Sequence, residues 1–100
     1  MNNSEAIRAT GMVWYEAQDF ERIKAIMEDG HVLHRTYAEW QRDAEMGEQR
    51  MRRDGVRVYR AIIKPDEFTS WCSARGLKLN AKSRNDFATW FAAQEYRAGR

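Results

Sequence analysis

The stretch Val56–Phe68, which reads VRVYRAIIKPDEF, decides the fold because a strand and a helix start follow each other in it. Val56–Ile63 is rich in β-branched and aromatic residues and predicts the clearest strand of the chain. Side chains alternate between the two faces of a strand, so Arg57 and Arg60 lie on opposite faces. A charged residue on each face argues against burial of both, and we expect one side of this strand to meet solvent.

The residues after this strand predict two helices. Pro65 fixes the backbone dihedral that a first helical turn needs, and Asp66 places negative charge at the positive end of the helix dipole. We expect this third helix to end at Gly76 and a fourth to begin at Asn80, which can cap it. The apolar stripes of the two helices are Phe68, Trp71 and Cys72, and Phe87, Trp90 and Phe91.

A shorter strand and two further helices are predicted before Val56. Met12–Tyr15 is a β-prone run, and the apolar spacing after it predicts a first helix that Gly30 ends with a left-handed cap. Thr36 and Glu39 form the pattern of a capping box and therefore predict the start of a second helix. Gly55 ends that helix.

The order is thus strand-helix-helix, twice, which indicates a duplicated unit. Asp19-Phe20 corresponds to Glu67-Phe68, and the spacing of Tyr37 and Trp40 corresponds to that of Phe87 and Trp90; the alternative is that any pair of amphipathic helices shows such spacing. We predict a mainly helical α+β fold with two short strands and four helices. Residues 1–11 are expected to be a flexible N-terminal segment, and residues 12–98 a single domain.

Composition excludes several classes of protein. The 100 residues include 17 basic and 15 acidic ones, a net charge of +2 that excludes a histone-like polycation. A single cysteine excludes an intramolecular disulfide framework, and no apolar run is long enough to span a membrane. The start of the chain is no secretory signal, and the free Cys72 fits a cytoplasmic protein.

The small net charge hides an uneven distribution. Residues 1–48 hold five basic and ten acidic residues, a net charge of −5, whereas residues 49–100 hold twelve and five, a net charge of +7. Such a division can serve an acidic partner or let two copies attract each other head to tail. It can equally reflect helix faces that are merely solvated by charge.

Two stretches of the chain resemble a set of small bacterial proteins of uncharacterised function. These are Thr36–Trp40, and Pro65–Phe68 with the following Trp71-Cys72 and Gly76-Leu77, and the similarity covers most of the chain from Trp14 to Phe87. The resemblance implies a small bacterial protein and carries over no catalytic or binding residue, because the shared residues are caps and aromatics.

The densest basic cluster lies around the end of the second helix and the second strand. Basic residues beside aromatic ones suit single-stranded nucleic acid, although cations also stabilise the end of a helix and nearby acids weaken the cluster's field. The cluster consists of Arg50, Arg52, Arg53, Arg57 and Arg60.

His31 and His34 lie in a connector just after Asp29 and are candidates for a metal site or a general base. Cys72 is a candidate nucleophile only if it approaches these histidines, and a buried structural cysteine is the alternative. Neither pattern is dense enough to assign an enzyme, a metal or a cofactor.

The aromatic residues outnumber what four short helices bury on one side. Adjacent rings such as Trp14-Tyr15 and Trp90-Phe91 cannot both enter one narrow stripe, so we expect one of each pair to face outward. Trp14, Tyr59 and Trp90 are therefore candidate interface residues. The sequence favours a non-enzymatic interaction module that self-associates or acts as an adaptor or regulator; nucleic-acid binding and a small enzyme or metal protein are the alternatives.

Overall fold

The second strand forms where the sequence predicts it, and the first strand lies beside it. The computed structural model describes residues 8–100, in which β1 (Arg8–Trp14) pairs in parallel with β2 (Val56–Ile62). The register places Arg8 opposite Val56 and Trp14 opposite Ile62. Parallel strands need a crossover connection, which here consists of two helices.

Four α-helices accompany the two-stranded sheet within the described residues, which confirms a mainly helical α+β fold. They are α1 (Phe20–Ile26), α2 (Tyr37–Arg53), α3 (Pro65–Arg75) and α4 (Ala81–Arg97), and short 3-10 turns cover Ala17–Asp19 and Gly30–Val32. β1 begins at Arg8, so part of the segment expected to be flexible is strand. The remainder of that segment, residues 1–7, lies outside the described residues.

The sheet is covered on both faces. Even-numbered strand residues face α2, where the ring centroids of Trp14 and Trp40 are 5.0 Å apart. Odd-numbered residues face α4, which packs on Gly11 through Ala88. The expectation that one side of β2 meets solvent is therefore wrong. The arginines of β2 fit because their guanidinium groups reach the edges of the two helix layers, where Arg57 binds the Arg100 carbonyl and Arg60 binds Glu48.

Both residues of the Trp14-Tyr15 pair are buried, contrary to the expectation that one faces outward. The strand ends at Trp14, so Tyr15 no longer follows the alternation of the pleat. Both rings consequently contact Trp40, at centroid distances of 5.0 and 4.9 Å. Such ring pairs stabilise a core beyond the area that they bury.

Most predicted helix ends are confirmed. Thr36 and Glu39 form the capping box of α2, and the Asn80 side chain accepts a hydrogen bond from the Ser83 N–H at the start of α4. Gly76 has a φ of 66° and ends α3. Gly30 does not have the expected left-handed conformation. Glycine is required there for a different reason: the backbone lies so close to the Lys24 carbonyl that a Cβ on Gly30 would be 1.9 Å from its oxygen.

The strand-helix-helix order occurs twice, but the correspondence of the long helices differs from the predicted one. α2 and α4 each contain 17 residues, with Thr36 and Asn80 as their N-caps. Counted from these caps, Trp40 corresponds to Arg84 rather than to Trp90, and both are buried. The matching aromatic spacing thus comes from different turns of the two helices.

Candidate interaction site

The outer edge of β1 presents backbone groups that the sheet does not use. The Trp14 carbonyl accepts a hydrogen bond from the Ile63 N–H at 2.9 Å, so the Trp14 backbone points toward β2. Backbone groups alternate along a strand, and those of Ala9, Gly11 and Val13 therefore point away from β2. Among residues 8–100 their one hydrogen-bond partner is the Thr10 hydroxyl, which reaches the Gly11 carbonyl at 3.4 Å.

A cavity of about 480 Å³ runs between this edge and α4. Its walls carry small neutral side chains and one aromatic side chain, Tyr96, which is 46% exposed. The lining residues are Ala9, Thr10, Gly11, Thr89, Ala92, Ala93 and Tyr96. An exposed neutral surface beside unpaired strand groups is the arrangement that accepts an added strand.

Gly11 sets how closely α4 approaches β1. A Cβ on Gly11 would be 2.0 Å from the Ala88 carbonyl oxygen and 3.1 Å from the Cβ of Ala92. Only a residue without a side chain fits at this contact, so glycine in the strand and alanines in the helix together bring α4 onto the sheet. The position of the cavity follows from this close packing.

The outer edge of β2 is different, because charged side chains cover it. Arg52 donates a hydrogen bond to the Val58 carbonyl at 3.4 Å. Arg60 binds the carboxylate of Glu48 through two contacts of 2.7 Å, and its guanidinium lies 3.7 Å from the centre of the Trp14 ring. The two hydrogen bonds from Arg60, and after them the one from Arg52, hold the pKa of the buried Glu48 below its usual value.

The predicted basic cluster is consequently engaged within the chain. Arg52 and Arg60 share Glu48, and Arg57 donates to the backbone carbonyl of Arg100 and lies beside the Tyr59 ring. Only Arg50 and Arg53, in the last turn of α2, have no such partner among the described residues. The structure therefore divides the cluster between the two faces of the sheet instead of concentrating it.

Of the three candidate interface residues, the structure leaves one at the surface. Trp90 is 40% exposed, whereas Trp14 and Tyr59 are buried. The Tyr59 hydroxyl donates to the Arg100 carbonyl at 2.6 Å, which ties it to the end of the chain. A surface that joins all three side chains is thus not formed.

The histidines and the cysteine do not form a common site. His34 is paired with Asp43 of α2 at 2.8 Å, and His31 is exposed. Cys72 is enclosed in the core, where burial raises the pKa of its thiol. Within the described part of the chain no group of three or more His, Cys, Asp or Glu side chains is placed to hold a metal ion.

Asp29 binds Arg84 instead of joining the histidines. Its two oxygens accept hydrogen bonds from the guanidinium at 2.9 and 3.2 Å, and one also accepts from the Ala81 N–H. The hydrogen bond from Arg84 is the main reason why the pKa of Asp29 is lowered. The pair fastens the connector before α2 to the first turn of α4.

The cavity beside β1 was missed by sequence reasoning. Two signals in the sequence point to it: Ala9 and Gly11, which share one face of β1, have little or no side chain, and four neutral residues recur at helical spacing in α4. Those four are Thr89, Ala92, Ala93 and Tyr96.

No helix of the described residues is long and apolar enough to cross a bilayer.

Comparison with known proteins supplies no relative from which a role can be transferred. No protein-family model matches the chain, and no curated protein and no solved structure matches it either.

Proposed function

We propose that this protein is a non-enzymatic interaction module that binds an extended polypeptide segment along the outer edge of β1. The observation that supports the proposal most directly is the outward backbone of Ala9, Gly11 and Val13, which among residues 8–100 has only the Thr10 hydroxyl as a hydrogen-bond partner; Ala9 and Gly11 also line the neutral cavity. In strand addition, main-chain hydrogen bonds supply affinity and pockets for alternate side chains supply specificity. Both elements are present at this edge.

The geometry suits an added strand in detail. A strand placed about 4.8 Å from β1 meets the N–H and C=O groups of three outward-facing residues. Each hydrogen bond formed contributes about 1 kcal/mol net. Side chains on the α4 side of the added strand enter the cavity, where Ala92 and Ala93 leave room and no charged group opposes an uncharged side chain.

The other candidate functions receive less support. Arg52, Arg57 and Arg60 are committed to partners within the chain, so nucleic-acid binding would depend on Arg50 and Arg53. An enzyme with Cys72 as nucleophile would need the histidines to approach it, but Cys72 lies in the core and His34 is paired with Asp43. A metal site centred on His31 and His34 would need a third ligand, and none is placed there among residues 8–100. The proposal also includes a location in the bacterial cytoplasm, and a free, buried cysteine such as Cys72 is consistent with that location.

Selection from a library of random displayed peptides tests strand addition without knowledge of a natural partner. We expect the wild-type protein to enrich peptides of alternating character, and Ala9→Pro to lose their binding because proline removes an outward N–H. Ala9→Ser, which keeps that N–H, is the matched control and should bind as the wild type does. Enrichment of no peptide at protein concentrations at which the chain is monomeric, or equal binding to Ala9→Pro, contradicts the proposal.

A further inference from the structure

We infer that the segment bound at this edge is β1 of a second copy of the chain, so that two copies share one four-stranded sheet. The inference rests on the proposed function, because it names the occupant of the same edge. β1 of the copy runs antiparallel to β1, which makes the contact isologous: the same patch is used on both chains.

The outward-facing residues are self-complementary. They are spaced evenly about Gly11, so antiparallel pairing with Gly11 opposite its own copy places Ala9 opposite Val13 at both ends. In this register the outward backbone groups of all three residues face each other as hydrogen-bonded pairs. Any shifted register leaves outward groups of β1 without a partner, and the centred one is therefore favoured.

The position of α4 fits a second α4 beside it. α4 contacts β1 more extensively than β2 and lies directly against Gly11, so its axis lies less than one strand spacing from the dimer axis. The two α4 helices are then less than about 9.6 Å apart, toward or below the close end of the usual packing range of about 8–10 Å for helices. Helices that approach so closely need small residues between them, and Thr89, Ala92 and Ala93 on this flank of α4 are small.

A second copy also explains the surface better than an isolated strand does. A lone peptide at the edge pairs with β1 but leaves much of the α4 flank and Tyr96 in contact with solvent. The α4 helix of a second copy covers this flank of α4 and Tyr96, and it fills the cavity. Burial of such a neutral surface favours association.

The charged cover on β2 limits the assembly to two chains. A further strand at the outer edge of β2 would have to displace Arg52 from the Val58 carbonyl and approach the pair formed by Arg60 and Glu48. Charged side chains at an exposed edge are a recognised means of preventing such additions. The two β2 edges therefore end the four-stranded sheet.

Sedimentation equilibrium of the full chain tests the inference. We expect a mass near twice the 11.8 kDa of one chain at tens to hundreds of micromolar. Ala9→Pro and Ala93→Arg should sediment as single chains, the second because it places a charge between the helices. Their matched controls, Ala9→Ser and Gln94→Arg, should remain dimeric, since Gln94 does not line the cavity.

Further measurements separate the possible failures. Circular dichroism establishes that each variant is folded, and isotope-filtered NMR on a mixed labelled and unlabelled sample should show contacts between Ala9 and Val13 of different chains. A strictly monomeric wild type that binds a selected peptide overturns the inference and leaves the proposed function intact. A dimer that survives both Ala9→Pro and Ala93→Arg, or a wild type that forms larger assemblies, overturns the inference as well.

Discussion

Gly11 of β1 lies directly against the backbone carbonyl of Ala88 in α4, and a Cβ at this glycine would be 2.0 Å from the carbonyl oxygen. The contact joins the first described strand to the last helix. Because both partners are backbone, no side-chain rotation can relieve a clash at this place. Any added atom on Gly11 must push α4 away from the sheet.

Gly11→Ala should therefore destabilise the protein. We expect a loss of about 1–3 kcal/mol in the free energy of unfolding, the range typical of overpacking. Urea denaturation followed by tryptophan fluorescence measures it. A variant as stable as the wild type would show that α4 does not pack as closely on β1 as the structure has it.

Gly47→Ala should have the opposite effect, although Gly47 also lies within a regular element that packs on the sheet. A Cβ at Gly47 meets only the terminal methyl of Met12, at 3.9 Å, which is an ordinary contact. Alanine in the middle of a helix is favoured over glycine by about 0.5–1 kcal/mol. The same urea titration should show a free energy of unfolding that is higher by this amount. A lower free energy of unfolding would contradict the open space beside Gly47.

Glu48→Gln should lower stability by about 1–3 kcal/mol at neutral pH, because the buried carboxylate binds two arginines. The pKa of Glu48 is lowered in the folded state, so this contribution is fully present above the usual glutamate pKa near 4.5. It is lost as the pH falls through the lowered value. The difference between wild type and variant should hence narrow with acidification, and unfolding free energies from pH 7 to pH 3 measure it.

Glu45 provides the control for that titration. It lies one turn earlier on α2 and makes no ion pair among residues 8–100. Glu45→Gln should change stability by less than about 0.5 kcal/mol. A difference between wild type and Glu48→Gln that stays constant down to pH 3 would contradict the assigned ion pair.

Asp29→Asn should lower the free energy of unfolding by about 3 kcal/mol, the largest effect among these charge substitutions. It leaves the buried guanidinium of Arg84 without its counter-charge. Asp29→Asn combined with Arg84→Met should recover part of that loss, since the unpaired charge is removed as well. Thermal and urea unfolding of the single and double variants form the test. Asp86→Asn, which breaks the exposed pair with Lys82, is the control and should cost little.

Local chemistry explains why some elements are predictable from the sequence. The capping box at Thr36, the cap at Asn80 and the helix start at Pro65 depend on residues a few positions apart, and each is where the sequence places it. The strand that begins at Val56 is equally local, because its composition alone favours the extended backbone.

The candidate site depends on contacts between distant parts of the chain, and that is why the sequence does not reveal it. Arg8–Gly11 is strand only because β2 lies beside it, and nothing in its own composition demands a strand. Gly11 identifies the close approach of α4 only when Ala88 is known to lie above it. Arg52 and Arg60 likewise suggest a free cationic surface until Glu48 is found to bind both of them.

The parallel pairing of β1 with β2 has a consequence for biosynthesis. β1 emerges from the ribosome long before its partner, and its ladder cannot be completed until Ile62 has also emerged. During that interval the backbone of residues 8–14 has no strand partner, whereas in the described part of the completed fold β2 pairs with one side of it. A nascent chain that stalls before β2 thus lacks the partner that holds residues 8–14 extended, and we expect this segment to form its strand only after Ile62 has emerged.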